Sequence, residues 1–147
     1  MKNVSLLKIV VFIISVISIV SCNKDDDSFA TVTVNGTLLI GDRSDFNGDI
    51  DASFTGNGGS DSRTFIWNNN LSTADYNADI TSNTQGTFRI IVKDSEGTTV
   101  LDRTIDGGTE PDTIGGVTSS GTSGIWTVDI QVTSFNGDGS FSLSEGN

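Results

Sequence analysis

Five acid and amide side chains crowd into ten residues at Asp42, Asp45, Asn47, Asp49 and Asp51. Calcium takes hard oxygen ligands, roughly six to eight at a time, and such a run is where they would come from. The spacing is not that of an EF-hand loop. Counting back from Gly48, ligands are needed at Asn47, Asp45 and position 43, and position 43 is Arg. Asn47, Asp49 and Asp51 also alternate with Ile50 and Ala52, which is how the wet face of a strand reads. Side chains two apart on a strand project roughly 7 Å from one another, too far to meet on one ion without a bend. Two readings stand: a solvated strand without cofactor, or a Ca2+ site built by the loop 41–46 with Asp42, Asp45 and Asn47 as ligands. A second group is Trp67 followed by Asn68, Asn69 and Asn70. An aromatic face beside amide donors suits a sugar ring; the alternative is a polar loop after a core strand.

Catalytic chemistry finds little to use. The 147 residues include no His, so the usual Ser-His-Asp triad cannot be assembled. A Ser-Lys pair would have to draw on Lys24 or Lys93, and Lys93 falls on the polar side of an alternating run. A carboxylate pair for glycoside hydrolysis needs one pKa raised in an apolar cleft. Aromatic residues are 7% of the chain, and the strand pattern sends most of them to the core. The chain therefore reads as a non-enzyme.

These groups must be carried by one domain, because 147 residues suffice for no more. Nineteen acidic residues against eight Lys and Arg give a net charge of -11, which excludes a nucleic-acid partner. A single Cys forbids an intramolecular disulfide, and 17 Gly with one Pro point to turn-rich β structure.

From Ala30 onward the apolar residues alternate with period two. Trp126, Val128, Ile130 and Val132 face one way along the strongest run, and Phe88, Ile90 and Val92 along the next. Further strands are expected at 46–54, 64–67, 76–80 and 99–105. Asn35-Gly36 between 31–34 and 37–40 is the strongest short hairpin signal. Asp94 to Gly97 predicts a second hairpin, and Asn136 to Gly139 a third that leads into a short closing strand, 140–143. The expectation is one antiparallel β-sandwich of about seven to nine strands over 30–147, jelly-roll or Ig-like, with a small β-barrel as the alternative. Ser123-Gly124-Ile125-Trp126-Thr127-Val128, followed by Gly137-Asp138-Gly139 and a last apolar strand, is similar to the closing strands of jelly-roll accessory domains such as the proprotein-convertase P domain. That resemblance implies a sandwich and no activity.

The N-terminus reads as an address. Lys2 and Lys8 precede an apolar run from Ile9 to Val20, the form of a secretory h-region and too short to span a bilayer. Ile19-Val20-Ser21-Cys22 resembles the lipobox of bacterial lipoproteins. The resemblance implies that residues 1–21 are a signal peptide and that Cys22 carries diacylglycerol and an N-acyl chain such as palmitate. Residues 22–29 would then be a lipidated tether. Lys24-Asp25-Asp26-Asp27 resembles the export signal of Bacteroidota lipoproteins displayed at the cell surface; the alternative is a solvated spacer. Asp112-Thr113-Ile114 resembles the site at which Bacteroidota O-glycosylate secreted proteins, which would place a glycan on Thr113 in a Gly/Pro/Thr-rich loop, 107–124.

The sequence thus predicts an acidic binding or accessory module, held to the outer membrane by lipid and facing outward, whose partner is a glycan or protein at the cell surface. The alternatives are a structural envelope lipoprotein without ligand and a carboxylate-dependent hydrolase. Exposed Trp67 with its Asn run would favour glycan binding, and featureless polar faces a structural role.

Overall fold

A computed structural model describes residues 27–41, 45–82 and 86–146. Nine strands and no helix lie among them: β1 (Ala30–Val34), β2 (Thr37–Leu38), β3 (Asp45–Asn47), β4 (Ile50–Asn69), β5 (Ala74–Thr81), β6 (Thr87–Lys93), β7 (Thr99–Asp106), β8 (Thr113–Val117) and β9 (Gly124–Glu145). Hydrogen bonding begins three residues ahead of β1, where the Asp27 carbonyl accepts from Asn57 Nδ2 at 3.5 Å. Phe29 donates its N–H to Asn57 Oδ1 at 2.6 Å, and its carbonyl accepts from the N–H groups of Asn57 and Gly59.

Two long strands organise everything else. β4 and β9 pair antiparallel from Ile50↔Leu143 to Asn69↔Gly124, with register shifts between Asn57 and Asp61. On one side of that irregularity, β4 is flanked by β1 and β9 by β5, giving the layer β2-β1-β4-β9-β5-β8. On the other side, β4 is flanked by β3 and β9 by β6, giving β3-β4-β9-β6-β7. One continuous sheet is therefore folded on itself at the bulge, where Ser134 takes a left-handed φ of 45°. Strands that pass from one layer to the other through a bulge are how a sandwich corner is made.

Rings from the two layers meet between them. Phe54 of the first layer stacks on Phe88 of the second at 4.4 Å, and Phe141 of the first lies 6.4 Å from Phe65 and 5.8 Å from Phe88 of the second. Trp67 and Trp126 pack edge to face at 5.9 Å, both fully buried. The core is the set the alternation names: Trp126, Val128, Ile130 and Val132 on β9, and Phe88, Ile90 and Val92 on β6. The molecule is all-β and a sandwich, as the sequence predicts.

Four local expectations are corrected. Asn136 to Gly139 is not a turn, because β9 runs through it without a break from Gly124 to Glu145. The run 46–54 is not one strand. The chain turns at Gly48 (φ 73°), leaving β3 to pair with β4 in parallel, Asp45↔Ile66 to Asn47↔Asn68. That pairing makes the sheet mixed rather than wholly antiparallel. Lastly, 107–124 is not all loop: β8 adds to β5 within it. The hairpins at Asn35-Gly36 (φ 48° and 75°) and at Asp94 to Gly97 form as expected.

Candidate functional site

The two outer faces of the sandwich differ in chemistry. On the first layer, outward positions of β1, β4, β9 and β5 carry Thr31, Thr33, Asp51, Ser53, Thr55, Asp138, Ser140, Ser142, Asp75, Asn77 and Asp79 in register. That face holds hydroxyls, amides and carboxylates, with no Lys or Arg among the described residues.

The second layer is amphipathic. Thr64 Oγ1 donates to Asp129 Oδ1 at 2.7 Å, Lys93 pairs with Asp129 at 3.6 Å, and Arg89 grips Asp102 with two bonds of 2.8 and 2.7 Å. The hydrogen bonds from Arg89 hold the Asp102 carboxyl below its ordinary pKa. Between these pairs, Ile66, Ile91 and Ile125 point outward, and Ile125 is 52% exposed.

At one end of this face lies a depression of about 120 Å³, lined by Asp45, Phe46, Asn47, Ile66, Trp67, Asn68 and Ile125. Its construction follows from strand alternation. Phe65, Trp67 and Asn69 are buried, so Ile66 and Asn68 project outward. Parallel pairing sets Asp45 beside Ile66 and Asn47 beside Asn68. Antiparallel pairing sets Ile125 on the far side of Asn68. The floor is thus apolar, Ile66 and Ile125, and the rim carries one carboxylate and two amides. Among the described residues, no hydrogen bond or ion pair ties the side chains of Asp45 and Asn47. Asn68 makes one long contact, 3.4 Å to Asn70 Oδ1.

The residues named from the sequence divide sharply. Asp45 and Asn47 reach this rim, while Asp42 lies outside the described residues. No group of three or more acid, His or Cys side chains among the described residues is placed to hold a metal ion. Trp67 is no platform: it is fully buried and its Nε1–H donates to the Gly48 carbonyl at 2.7 Å, fixing the turn between β3 and β4. The rest of the Asn run is scaffolding. Asn69, fully buried, donates to the Thr73 carbonyl and accepts from Leu71 N–H, and Asn70 is held by Glu145 Oε1 at 2.6 Å. Thr113 opens β8 as an exposed residue, with its hydroxyl donating to the Ala78 carbonyl at 3.0 Å. Cys22, Lys24, Asp25 and Asp26 lie outside the described residues, and Asp27 is exposed.

Sequence reading missed one polar centre entirely. Asp94 is buried at the β6–β7 turn, and its Oδ1 accepts from the N–H groups of Glu96 and Thr98 at 3.0 and 2.8 Å. Its Oδ2 accepts from Thr122 N–H at 2.8 Å, which clamps the loop before β9 to the hairpin. Ser95 adds bonds to the Thr122 and Ser123 carbonyls. These backbone donors, Thr122 foremost, hold the Asp94 carboxyl below its ordinary value of 3.8 despite burial. A depressed folded pKa stabilises the fold fully above 3.8, and that contribution is lost as the pH falls from there through the lower folded value. Asp94→Asn is therefore expected to be less stable than wild type at pH 7, with the gap closing below 3.8. Urea midpoints of both proteins across that range check it; a gap independent of pH would contradict it.

No protein-family model matches this chain, and no curated protein matches it in sequence. Solved structures do match in part. TmCBM61 in complex with beta-1,4-galactotriose is similar at 10% identity and a TM-score of 0.37, over 67% of this chain and 66% of that one. A CBM4 structure is similar at 14% identity and a TM-score of 0.33, over 66% and 80%. The N-terminal cellulose-binding domain of Cellulomonas fimi beta-1,4-glucanase C is similar at 13% identity and 0.36, over 80% and 90%. The chain thus spans a little under two thirds of the first of these.

Proposed function

We propose that this protein is a lipid-anchored binding module displayed at the cell surface, and that the depression on β3, β4 and β9 takes a single sugar residue of a glycan. One observation carries the ligand class: an apolar floor, Ile66 and Ile125, ringed by Asp45, Asn47 and Asn68, two of which bond to no other side chain or backbone group among the described residues. Sugar rings present a C–H face that an apolar floor covers and hydroxyls that a carboxylate and amides bind. Specificity in small sites comes from a few placed polar groups of this kind on an apolar surface. At about 120 Å³ the depression holds one ring, so the rest of a chain would run over the outer face toward Ile91 and Lys93.

Losing a hydrogen bond to a charged acceptor costs roughly 1.5–3 kcal/mol. Asp45→Ala should accordingly weaken oligosaccharide binding by about tenfold or more. Asn68→Ala removes a neutral partner and should weaken it by about threefold to tenfold. Calorimetry on variants with unchanged urea midpoints reads both. Binding that survives both substitutions would remove the depression from the account.

The anchor rests on Ile19 to Cys22 and the outward display on Lys24 to Asp27. Two or more acyl chains hold a protein to a bilayer stably, where one does so marginally. Cys22→Ala should abolish radioactive palmitate labelling and release the protein from membranes. Wild-type protein should be shaved by protease on intact cells, and replacing Asp25, Asp26 and Asp27 by Ala should protect it while leaving it lipidated. Labelling of the Cys22 variant would sink the anchor. Wild-type protection, confirmed by a lack of antibody labelling on unlysed cells, would place the domain in the periplasm.

A further inference from the structure

The described strands leave four sheet edges, and three of them are blunted. β2 is two residues long and β3 three. β7 carries exposed Asp102, Arg103 and Asp106, and its pairing with β6 is broken by a register shift at Val92/Lys93. Short strands, charges and bulges are the usual protections of an edge. β8 has none of them. It is Thr-Ile-Gly-Gly-Val, uncharged, largely exposed, and it pairs with β5 without a register break from Asp75↔Val117 to Asp79↔Thr113. Val117 is 59% exposed.

The bonding phase of this edge can be read from its ends. Ile80 N–H donates to the Asp112 carbonyl, and Thr118 N–H donates to the Ala74 carbonyl. In an antiparallel ladder, hydrogen-bonded and non-bonded pairs alternate. Ile114 and Gly116 therefore spend their N–H and C=O groups on β5, and Thr113, Gly115 and Val117 turn theirs to the open side.

The surroundings specify what could use them. The neighbouring outward positions on β5 are Asp75, Asn77 and Asp79, and Glu110 and Asp112 precede the edge. Every described Lys and Arg lies elsewhere: Arg63 at the bend, and Arg89, Lys93 and Arg103 on the second layer. A strand added to β8 would lie about 10 Å from β5, two strand spacings away. Gly115 adds no side chain of its own, so a long cationic side chain on the added strand could cross there, meeting the Asn77 amide that lies over Gly115 and reaching Asp75 or Asp79 on the diagonal.

We propose that the free edge of β8 receives an extended segment of a partner protein as an added strand, with Lys or Arg at alternate positions facing Asp75 and Asp79. Main-chain bonds to Thr113, Gly115 and Val117 give this contact its affinity, and the acidic row gives it selectivity for basic sequence. A second copy of this chain is a poor occupant, because it would bring the same acidic row and a net charge of -11 against itself.

The test uses the full chain and a ten-residue peptide alternating Lys and Thr, with amide hydrogen exchange as the readout. Exchange at Thr113, Gly115 and Val117 should slow by about tenfold or more at saturation, while the rest of the sandwich is unchanged. Asp75→Asn combined with Asp79→Asn leaves the ladder intact and should weaken the peptide about threefold to tenfold while flattening its salt dependence. Thr113→Pro removes one outward donor and should weaken it further. A peptide alternating Glu and Thr should not bind. Absence of protection at the three amides would overturn the proposal, as would equal binding of the acidic peptide. Protection that appears without peptide and grows with protein concentration would assign the edge to a second copy instead.

Discussion

Replacing Trp126 by Ala is expected to lower stability by roughly 3–5 kcal/mol, the range for large-to-small changes at fully buried aromatic positions. Trp126 has no exposed surface, packs edge to face on Trp67 at 5.9 Å, and donates Nε1–H to the Thr122 carbonyl at 2.8 Å. Truncation removes the ring, opens a cavity beside Trp67 and leaves that carbonyl to the longer bonds from Ser95 alone. A domain of this size holds about 5–15 kcal/mol in all, so a large share of the variant should be unfolded at modest urea. An unchanged urea midpoint would mean that the indole is exposed in solution.

Gly137→Ala is the second large effect, and it separates two accounts of the same residue. In a hairpin turn, Gly137 would matter only for its backbone angle. In β9 it has a φ of 148°, and a Cβ there would run into the Thr81 carbonyl oxygen and sit 3.1 Å from Ser82 Cα. Overpacking of roughly 1–3 kcal/mol then adds to backbone strain of similar size. Gly36→Ala is the comparison. Gly36 also has positive φ, 75°, but a Cβ there meets open space, so strain alone applies. The Gly137 variant should therefore lose about 2–6 kcal/mol and clearly more than the Gly36 variant. Equal losses would return Gly137 to a turn.

That contrast shows what was legible in the chain and what was not. Period-two alternation identifies the inward residues of β6 and β9, because each apolar side chain reports its own face. Asp94-Ser95-Glu96-Gly97 reads as a turn because a turn is a local event. The bend of β4 and β9 is not local. Gly and Asn at 56–59 and 136–139 look like loop composition, and only packing against Phe29 and Thr81 reveals them as positions where backbones pass closely. The depression was half legible for the same reason. Asp45 and Asn47 stood out as oxygen donors and Asn68 as an amide beside an aromatic. Their meeting depends on parallel pairing across some twenty residues of chain, a non-local contact no short window contains. Trp67 misled because an aromatic beside amides looks the same whether the ring faces water or the core. Ile66 and Ile125 carried a weak signal, apolar residues on the polar side of their strands.

The central claim is that the Asp45–Asn47–Asn68 depression is where ligand binds. A groove of about 420 Å³ along Ser60 to Arg63 and Gln131 to Thr133 is the competing place, above an Asp61 whose Oδ2 is buried with no partner among the described residues. Arg63 is committed there to Asp61 and to the Leu39 carbonyl, so its guanidinium holds a loop rather than a ligand. Backbone amide shifts on titrating the 15N-labelled full chain with a panel of neutral oligosaccharides decide between them. The account predicts saturable shifts centred on Asp45 to Asn47, Ile66 to Asn68 and Ile125, abolished by Asp45→Ala. Shifts centred on Ser60 to Arg63, or none with any sugar, would contradict it.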